Sequence, residues 1–166
     1  VLAELRDCEA SCSAEGRDMR LLWTVIAVCA LMAIGPTDAW ADSAGIIPKL
    51  PEPDAAWKVV PLESLDLAKL SQSYGAPQID RSITKKALSI GGVSYTNGLG
   101  THAASSVAID LKGKAKLFRA WVGVDDGAGK NGSVVFSILL DGKLVARTPV
   151  MRGGDKPVLF GAVLDG

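Results

Sequence analysis

The stretch Gly91–Asp155 reads GGVSYTNGLGTHAASSVAIDLKGKAKLFRAWVGVDDGAGKNGSVVFSILLDGKLVARTPVMRGGD. Short apolar runs alternate there with turns built from Gly, Asp, Asn and Lys, the pattern of strands joined by hairpins. Ser105–Leu111 alternates, with Val107, Ile109 and Leu111 on one side. Leu117–Asp125 predicts a longer strand with Phe118, Ala120, Val122 and Val124 on one face and Arg119, Trp121, Gly123 and Asp125 on the other. Val134–Leu140 aligns Phe136, Ile138 and Leu140. Asp141-Gly142 then turns the chain into Lys143–Thr148, and Gly91-Gly92 joins Ala87–Ile90 to Val93–Tyr95; both dipeptides suit two-residue hairpin loops. Val158–Leu164 starts one more strand. Strands spaced by roughly 8–12 residues, with no long helical pattern, predict an all-β sandwich.

Four blocks stand out in this region: GLGTHA (Gly98–Ala103), VGVDD (Val122–Asp126) with Gly127-Ala128-Gly129 behind it, NGSVVF (Asn131–Phe136) and VMRGGD (Val150–Asp155). In this collinear order they resemble the NPCBM family, carbohydrate-binding modules found beside glycoside hydrolases. The resemblance runs from about Trp57 to the last residue. It implies a jelly-roll β-sandwich of the galactose-binding-domain type over 57–166, and sugar binding rather than catalysis. Members of the family usually continue through another strand and an acidic, aromatic segment, which this sequence lacks. The chain is therefore expected to be a fragment without its C-terminal strand or strands, with any catalytic domain beyond Gly166.

Ahead of the sandwich lies a segment that reads as an address. Met19-Arg20 is followed by an apolar run, Leu21–Ile34, inside the ~7–15 residues of a signal-peptide core and short of the ~20 that a membrane span needs. Gly35 and Pro36 break it, and Ala39-Trp40-Ala41 supplies a small-x-small cleavage pattern. The expectation is a signal-peptide helix within 19–41, a mature chain starting at Asp42, and a secreted, periplasmic or cell-surface location. Residues 1–18 read as an upstream mis-start or an extended n-region. All three cysteines, Cys8, Cys12 and Cys29, precede the cleavage pattern, so the exported domain must be held by its core rather than by disulfides. Pro48, Pro51 and Pro53 mark 42–56 as an extended linker. Leu62, Leu65, Leu67 and Leu70 predict a short helical turn or irregular segment that closes one end of the core.

The whole chain carries 18 basic and 18 acidic residues, scattered except for Lys112, Lys114 and Lys116 around a turn at Gly113. There is no basic stripe, which argues against nucleic acid as a partner. Nor is a membrane expected as partner once a leader is removed.

Catalytic chemistry finds little support. His102 is the single histidine, and no GxSxG or HExxH motif accompanies it. It either fixes the GLGTHA loop through backbone hydrogen bonds or contacts a ligand. Asp125 and Asp126 are neighbours, so within a strand they point to opposite faces and cannot form a carboxylate pair. With Asn131 and loop carbonyls they suit a calcium site of hard oxygen ligands; as Asx-type caps they would bond loop N–H groups instead. Sugar binding needs an aromatic plane and planar hydrogen-bonding groups. The planes on offer are Trp57, Trp121, Tyr74 and Tyr95, with Trp57 assigned to the core and Trp121 or Tyr95 preferred for stacking. Arg152 and Asn97, both on loops, join His102 as polar contacts.

The leading expectation is thus a secreted module, not itself an enzyme, that targets a larger protein to glycans, with the resemblance favouring galactose-type sugars. The rivals are a structural or protein-interaction sandwich without a sugar site, and the N-terminal fragment of a glycoside hydrolase.

Overall fold

The computed structural model describes residues 2–7, 20–27 and 45–164; for the first two stretches and for Glu63 only the course of the backbone is described. The strands are β1 (Leu2–Asp7), β2 (Arg20–Ala27), β3 (Lys58–Pro61), β4 (Ser71–Gln72), β5 (Gln78–Ile79), β6 (Leu88–Ile90), β7 (Val93–Tyr95), β8 (Leu99–Gly100), β9 (Ser105–Asp110), β10 (Ala115–Val122), β11 (Ser133–Leu140), β12 (Lys143–Arg147), β13 (Met151–Arg152) and β14 (Val158–Val163). Two sheets form the body, one in the order β14-β10-β1-β3 and one in the order β12-β11-β2-β9-β4, with β13 also on β11. Two small ribbons, β5 with β8 and β6 with β7, complete the fold.

The core lies between the two main sheets, and period-2 patterning puts it there. Phe118, Ala120 and Val122 of β10 and Phe160 and Ala162 of β14 meet Val107 and Ile109 of β9 and Phe136 and Ile138 of β11 in one buried cluster. These are the inward sets that alternation assigns to each strand. Leu62 closes one end. It heads a 3-10 turn, Leu62–Ser64, and is fully buried, while Leu65, Leu67 and Leu70 pack on the cluster. The β-sandwich expectation holds.

Both two-residue hairpins form as expected. Asp141 and Gly142 have φ of 49° and 79°, and Gly91 and Gly92 have φ of 56° and 81°, positive at both central positions as a type I′ turn requires. A bulge between Ile138 and Leu139 interrupts the β11–β12 register. Beyond it, buried Thr148 binds Phe136 twice: Phe136 N–H donates to Thr148 Oγ1 at 3.0 Å, and Thr148 N–H to Phe136 O at 2.9 Å. The buried hydroxyl is thereby satisfied and Phe136 is held in place.

The N-terminal segments take part in the sheets. Arg20–Ala27, inside the run read as a leader, forms a strand here. It pairs from Val134↔Ala27 to Leu140↔Leu21 with β11, and from Arg20↔Asp110 to Val25↔Ser105 with β9. The physical reason is legible afterwards. Thr24, Val25 and Ile26 are β-branched and favour a pleated surface, and a place between two strands satisfies backbone groups on both sides. Likewise Leu2–Asp7, read as a mis-start or n-region, pairs with β10 and β3. The cleavage pattern Ala39-Trp40-Ala41, Met19 and the three cysteines lie outside the described residues.

The Pro-rich stretch also touches the sandwich. Ile46 bridges to Arg147 on edge strand β12, with Arg147 N–H donating to Ile46 O at 2.7 Å. Leu50 lies over Gly161, so closely that a methyl group there would meet its Cδ1 at 2.9 Å. This stretch covers part of a sheet edge.

Candidate functional site: a cavity among the loops beyond strand β10

Strand β10 stops at Val122, and the chain continues through Gly123 and Val124 into a 3-10 segment, Asp126–Asn131. Asp125 caps it, its Oδ1 accepting from Gly127 N–H at 2.9 Å. The strand therefore ends before the acidic pair, and the two carboxylates do different work. Asp125 Oδ2 also accepts from Ser89 N–H at 3.3 Å. Asp126 reaches over to the β6–β7 hairpin. It accepts from the Ser89 hydroxyl, from Gly91 N–H at 2.8 Å and from Gly92 N–H at 3.0 Å. The Ser89 hydroxyl above all, then the Gly92 and Gly91 N–H groups, hold the Asp126 carboxyl below its ordinary range, against partial burial that acts the other way. This arrangement clamps a hairpin onto a loop.

Each carboxylate oxygen already faces an N–H or O–H donor, whereas a cation needs several converging acceptors. Among the described residues no group of three or more His, Cys, Asp and Glu gathers.

Beside the clamp opens a cavity of about 330 Å³. Leu88, Val124, Val134 and Phe136 give it apolar walls, and its polar lining includes Thr84, Thr101, His102, Asp125, Asn131 and Ser133. Its size and its mixture of apolar wall and few polar groups are those of a small-molecule site. His102, Asp125 and Asn131 are thus brought together. Arg152 stands one strand away, opposite Ser133 in the β13–β11 pair, and is exposed; its N–H donates to Asp155 Oδ2 at 2.6 Å.

The other expected site residues lie elsewhere. Tyr95 is half-buried opposite Leu88 and does not line the cavity, and its hydroxyl is pushed above the ordinary range by burial. Asn97 is exposed in the loop before β8, where its Oδ1 accepts from the Thr96 hydroxyl at 2.9 Å. Trp121 does face away from the core, as its strand parity suggested. It is 39% exposed opposite Leu159 of β14, and does not line the cavity.

His102 sits in the loop that leads into β9, and a neighbouring segment organises it. Its N–H donates to Gln72 Oε1 at 3.3 Å. Its Nδ1 lies 3.2 Å from Ser73 Oγ, which donates to Ala103 O at 3.0 Å. Tyr74 meets the imidazole edge-on, centroid to centroid 5.3 Å at 60°. Gln72–Tyr74 was the contribution that patterning missed. Tyr74 counted only as one aromatic among four, because nothing local shows that β4 pairs with β9 and carries it to His102.

The family model described as the NPCBM/NEW2 domain matches residues 58–166. The chain belongs to the NPCBM/NEW2 domain family. The NPCBM/NEW2 match begins at the first strand after the Pro-rich stretch and takes in every motif quoted above. Two curated relatives share it. Alpha-1,3-galactosidase B of Akkermansia muciniphila is 37% identical over 97 residues, 57% of this chain and 12% of its own length. A protein of Renibacterium salmoninarum named for an endo-alpha-N-acetylgalactosaminidase activity is 45% identical over 90 residues, 51% of this chain and 6% of its own length. The chain therefore spans only a small part of either. Among solved structures, the CBM51 module from Clostridium perfringens GH95, in complex with methyl-galactose, superposes with a TM-score of 0.59 at 29% identity, covering 63% of this chain and 78% of that one. The NPCBM/NEW2 domain here thus has the galactose-binding-like sandwich that its motifs led one to expect.

Proposed function

We propose that this domain is a non-catalytic carbohydrate-binding module for galactose-type glycans and that it uses the cavity beside Asp125 and His102. The observation that carries this reading is the likeness of 63% of the chain to a module solved with methyl-galactose. The chemistry at the cavity supports it. Apolar walls suit the C–H face of a pyranose, while an imidazole, hydroxyls and an amide can exchange hydrogen bonds with its hydroxyl groups. Loops at one end of a rigid sandwich can present such groups together.

The module would act as one part of a larger secreted or cell-surface protein. Both curated relatives are named for glycoside hydrolases far longer than the matched segment, which supports a role in holding such an enzyme near its glycan. Among the described residues no helix is long and apolar enough to cross a membrane. The test is a broad glycan array followed by calorimetry. Binding should concentrate on galactose-terminated and N-acetylgalactosamine-terminated glycans, and be weak and enthalpy-driven. An array without any bound glycan would replace this reading with that of a protein-interaction sandwich.

A further inference from the structure

We propose that Tyr74 and His102 form a single sugar-recognition surface at the cavity mouth. The Tyr74 ring is the plane on which a galacto-configured pyranose stacks, and His102 Nε2 accepts a hydrogen bond from one of its hydroxyls. The proposal rests on the glycan-binding reading above and deepens it.

The first support is the setting of Tyr74. It is the most exposed large apolar side chain among the described residues, at 72%. Burial therefore does not explain its position. Yet the backbone on both sides of it is pinned. Gln72 Nε2 donates to Tyr74 O at 2.8 Å, and Ser73 N–H donates to Ala104 O at 2.9 Å. The edge-on contact with His102 steadies the ring. An aromatic face held rigid and left open to solvent is poised for stacking, since little entropy remains to be lost on binding.

The second support is a proton count at Ser73. Its Oγ lies within hydrogen-bond distance of Ala103 O and of His102 Nδ1, and a hydroxyl has one proton. A carbonyl can only accept, and in this proposal the proton goes to Ala103 O. His102 Nδ1 is then the donor to Ser73 Oγ. In the neutral ring that leaves the lone pair on Nε2, which has no hydrogen-bond partner among the described residues. The relay Nδ1–H to Ser73 to Ala103 corresponds to the tautomer that presents an acceptor beside the Tyr74 ring.

The pair suits the galacto configuration on chemical grounds. An axial C4 hydroxyl gathers the hydrogens of carbons 3, 4 and 5 on one face, which can lie on an aromatic ring. In the gluco epimer that hydroxyl is equatorial and the apolar hydrogens are divided between the faces.

The experiment uses the full 166-residue chain, with methyl galactoside and methyl glucoside as probes in calorimetry and saturation-transfer NMR. The wild type should bind the galactoside in preference, with strongest transfer to the hydrogens on carbons 3, 4 and 5. Tyr74→Ala should weaken binding roughly tenfold or more, and Tyr74→Phe should keep most of it, because the ring face is what stacks. The melting temperature of Tyr74→Ala should stay near the wild-type value, since the side chain is exposed. His102→Ala should also lose affinity, and full affinity there would overturn the acceptor role. A wild type that binds galactoside while Tyr74→Ala binds it equally well overturns the inference and leaves the glycan reading intact. A wild type that binds no galactose-terminated glycan overturns both.

Discussion

Replacing Asp126 by Ala removes three hydrogen bonds at once, and it does so at the joint that holds the β6–β7 hairpin to the loop beside the cavity. The acceptor is a carboxylate, and a hydrogen bond to a charged group is worth about 1.5–3 kcal/mol. Three such bonds do not add in full, because Asp126 is half-buried and water can partly replace its contacts. A loss of ~2–4 kcal/mol is the reasoned magnitude, which for a domain of this size lowers the melting temperature by roughly 10 °C. The variant leaves Gly91 and Gly92 N–H groups unpaired, so the hairpin should loosen first, and amide exchange at those two positions should rise well above that of β10.

The same carboxylate sets a pH dependence. Its folded pKa lies below the unfolded value, for which the ordinary figure is 3.8. A depressed carboxyl contributes stability that is fully present above the unfolded pKa and is lost as pH falls through the folded one. Wild type and Asp126→Asn should therefore differ most near neutral pH and converge in acid, below the ordinary carboxylate range. Ser89→Ala, which deletes the hydroxyl that contributes most to the depression, should narrow the pH effect without abolishing it. Calorimetric melts from neutral to acid pH, with and without calcium, read all of this. A stability difference unchanged across that range would refute the clamp. A calcium-dependent rise in melting temperature that Asp126→Ala removes would restore the acidic pair to metal binding instead.

Two further outcomes are expected. Gly142→Val should destabilise by about 1–2 kcal/mol through backbone strain alone, since φ is +79° there and a Cβ would meet nothing within 4 Å; an unchanged melting temperature would contradict the type I′ assignment. Removing residues 1–41 should cost the cooperative melt seen with the full chain, because β1 and β2 leave the middle of both sheets; equal melting temperatures for the two forms would show that those strands are dispensable.

The body of the sandwich was legible because its information is local. Alternation placed Phe118, Ala120, Val122, Phe136 and Ile138 inward without reference to any partner strand, and Asp-Gly and Gly-Gly specify a hairpin by their own backbone preferences. The two-residue strands β4, β5, β8 and β13 have no such signal. Each exists only because a neighbour pairs with it. The candidate site suffers from the same limit. His102, chosen as a sugar contact, and Asp125 and Asn131, chosen as metal ligands, line one cavity. Trp121, Tyr95, Asn97 and Arg152, chosen as sugar contacts, do not line it. Tyr74 needed the β4–β9 pairing before its nearness to His102 could be seen.

The N-terminal segment shows a deeper ambiguity. A short apolar run without clear period can serve as a buried strand or as a helical leader, and periodicity alone does not separate the two. Leu21–Ala27 belongs to both descriptions. The apolar run Leu21–Ile34 that contains it has the length and flanks that suit export, while the β-branched Thr24, Val25 and Ile26 suit a sheet. Between β11 and β9 the backbone of Arg20–Ala27 pairs with seven residues on one side and six on the other. At about 1 kcal/mol net for each backbone hydrogen bond, such pairing approaches the ~5–15 kcal/mol that holds a whole domain together. The two fates therefore exclude each other. A run held in the middle of a sheet is hidden from export machinery, and a run cleaved after Ala41 can no longer fill that place. N-terminal sequencing of exported protein, read beside the melt of the shortened form, decides between them. A product that starts at Asp42 and still melts cooperatively would mean that the slot between β9 and β11 accepts another strand.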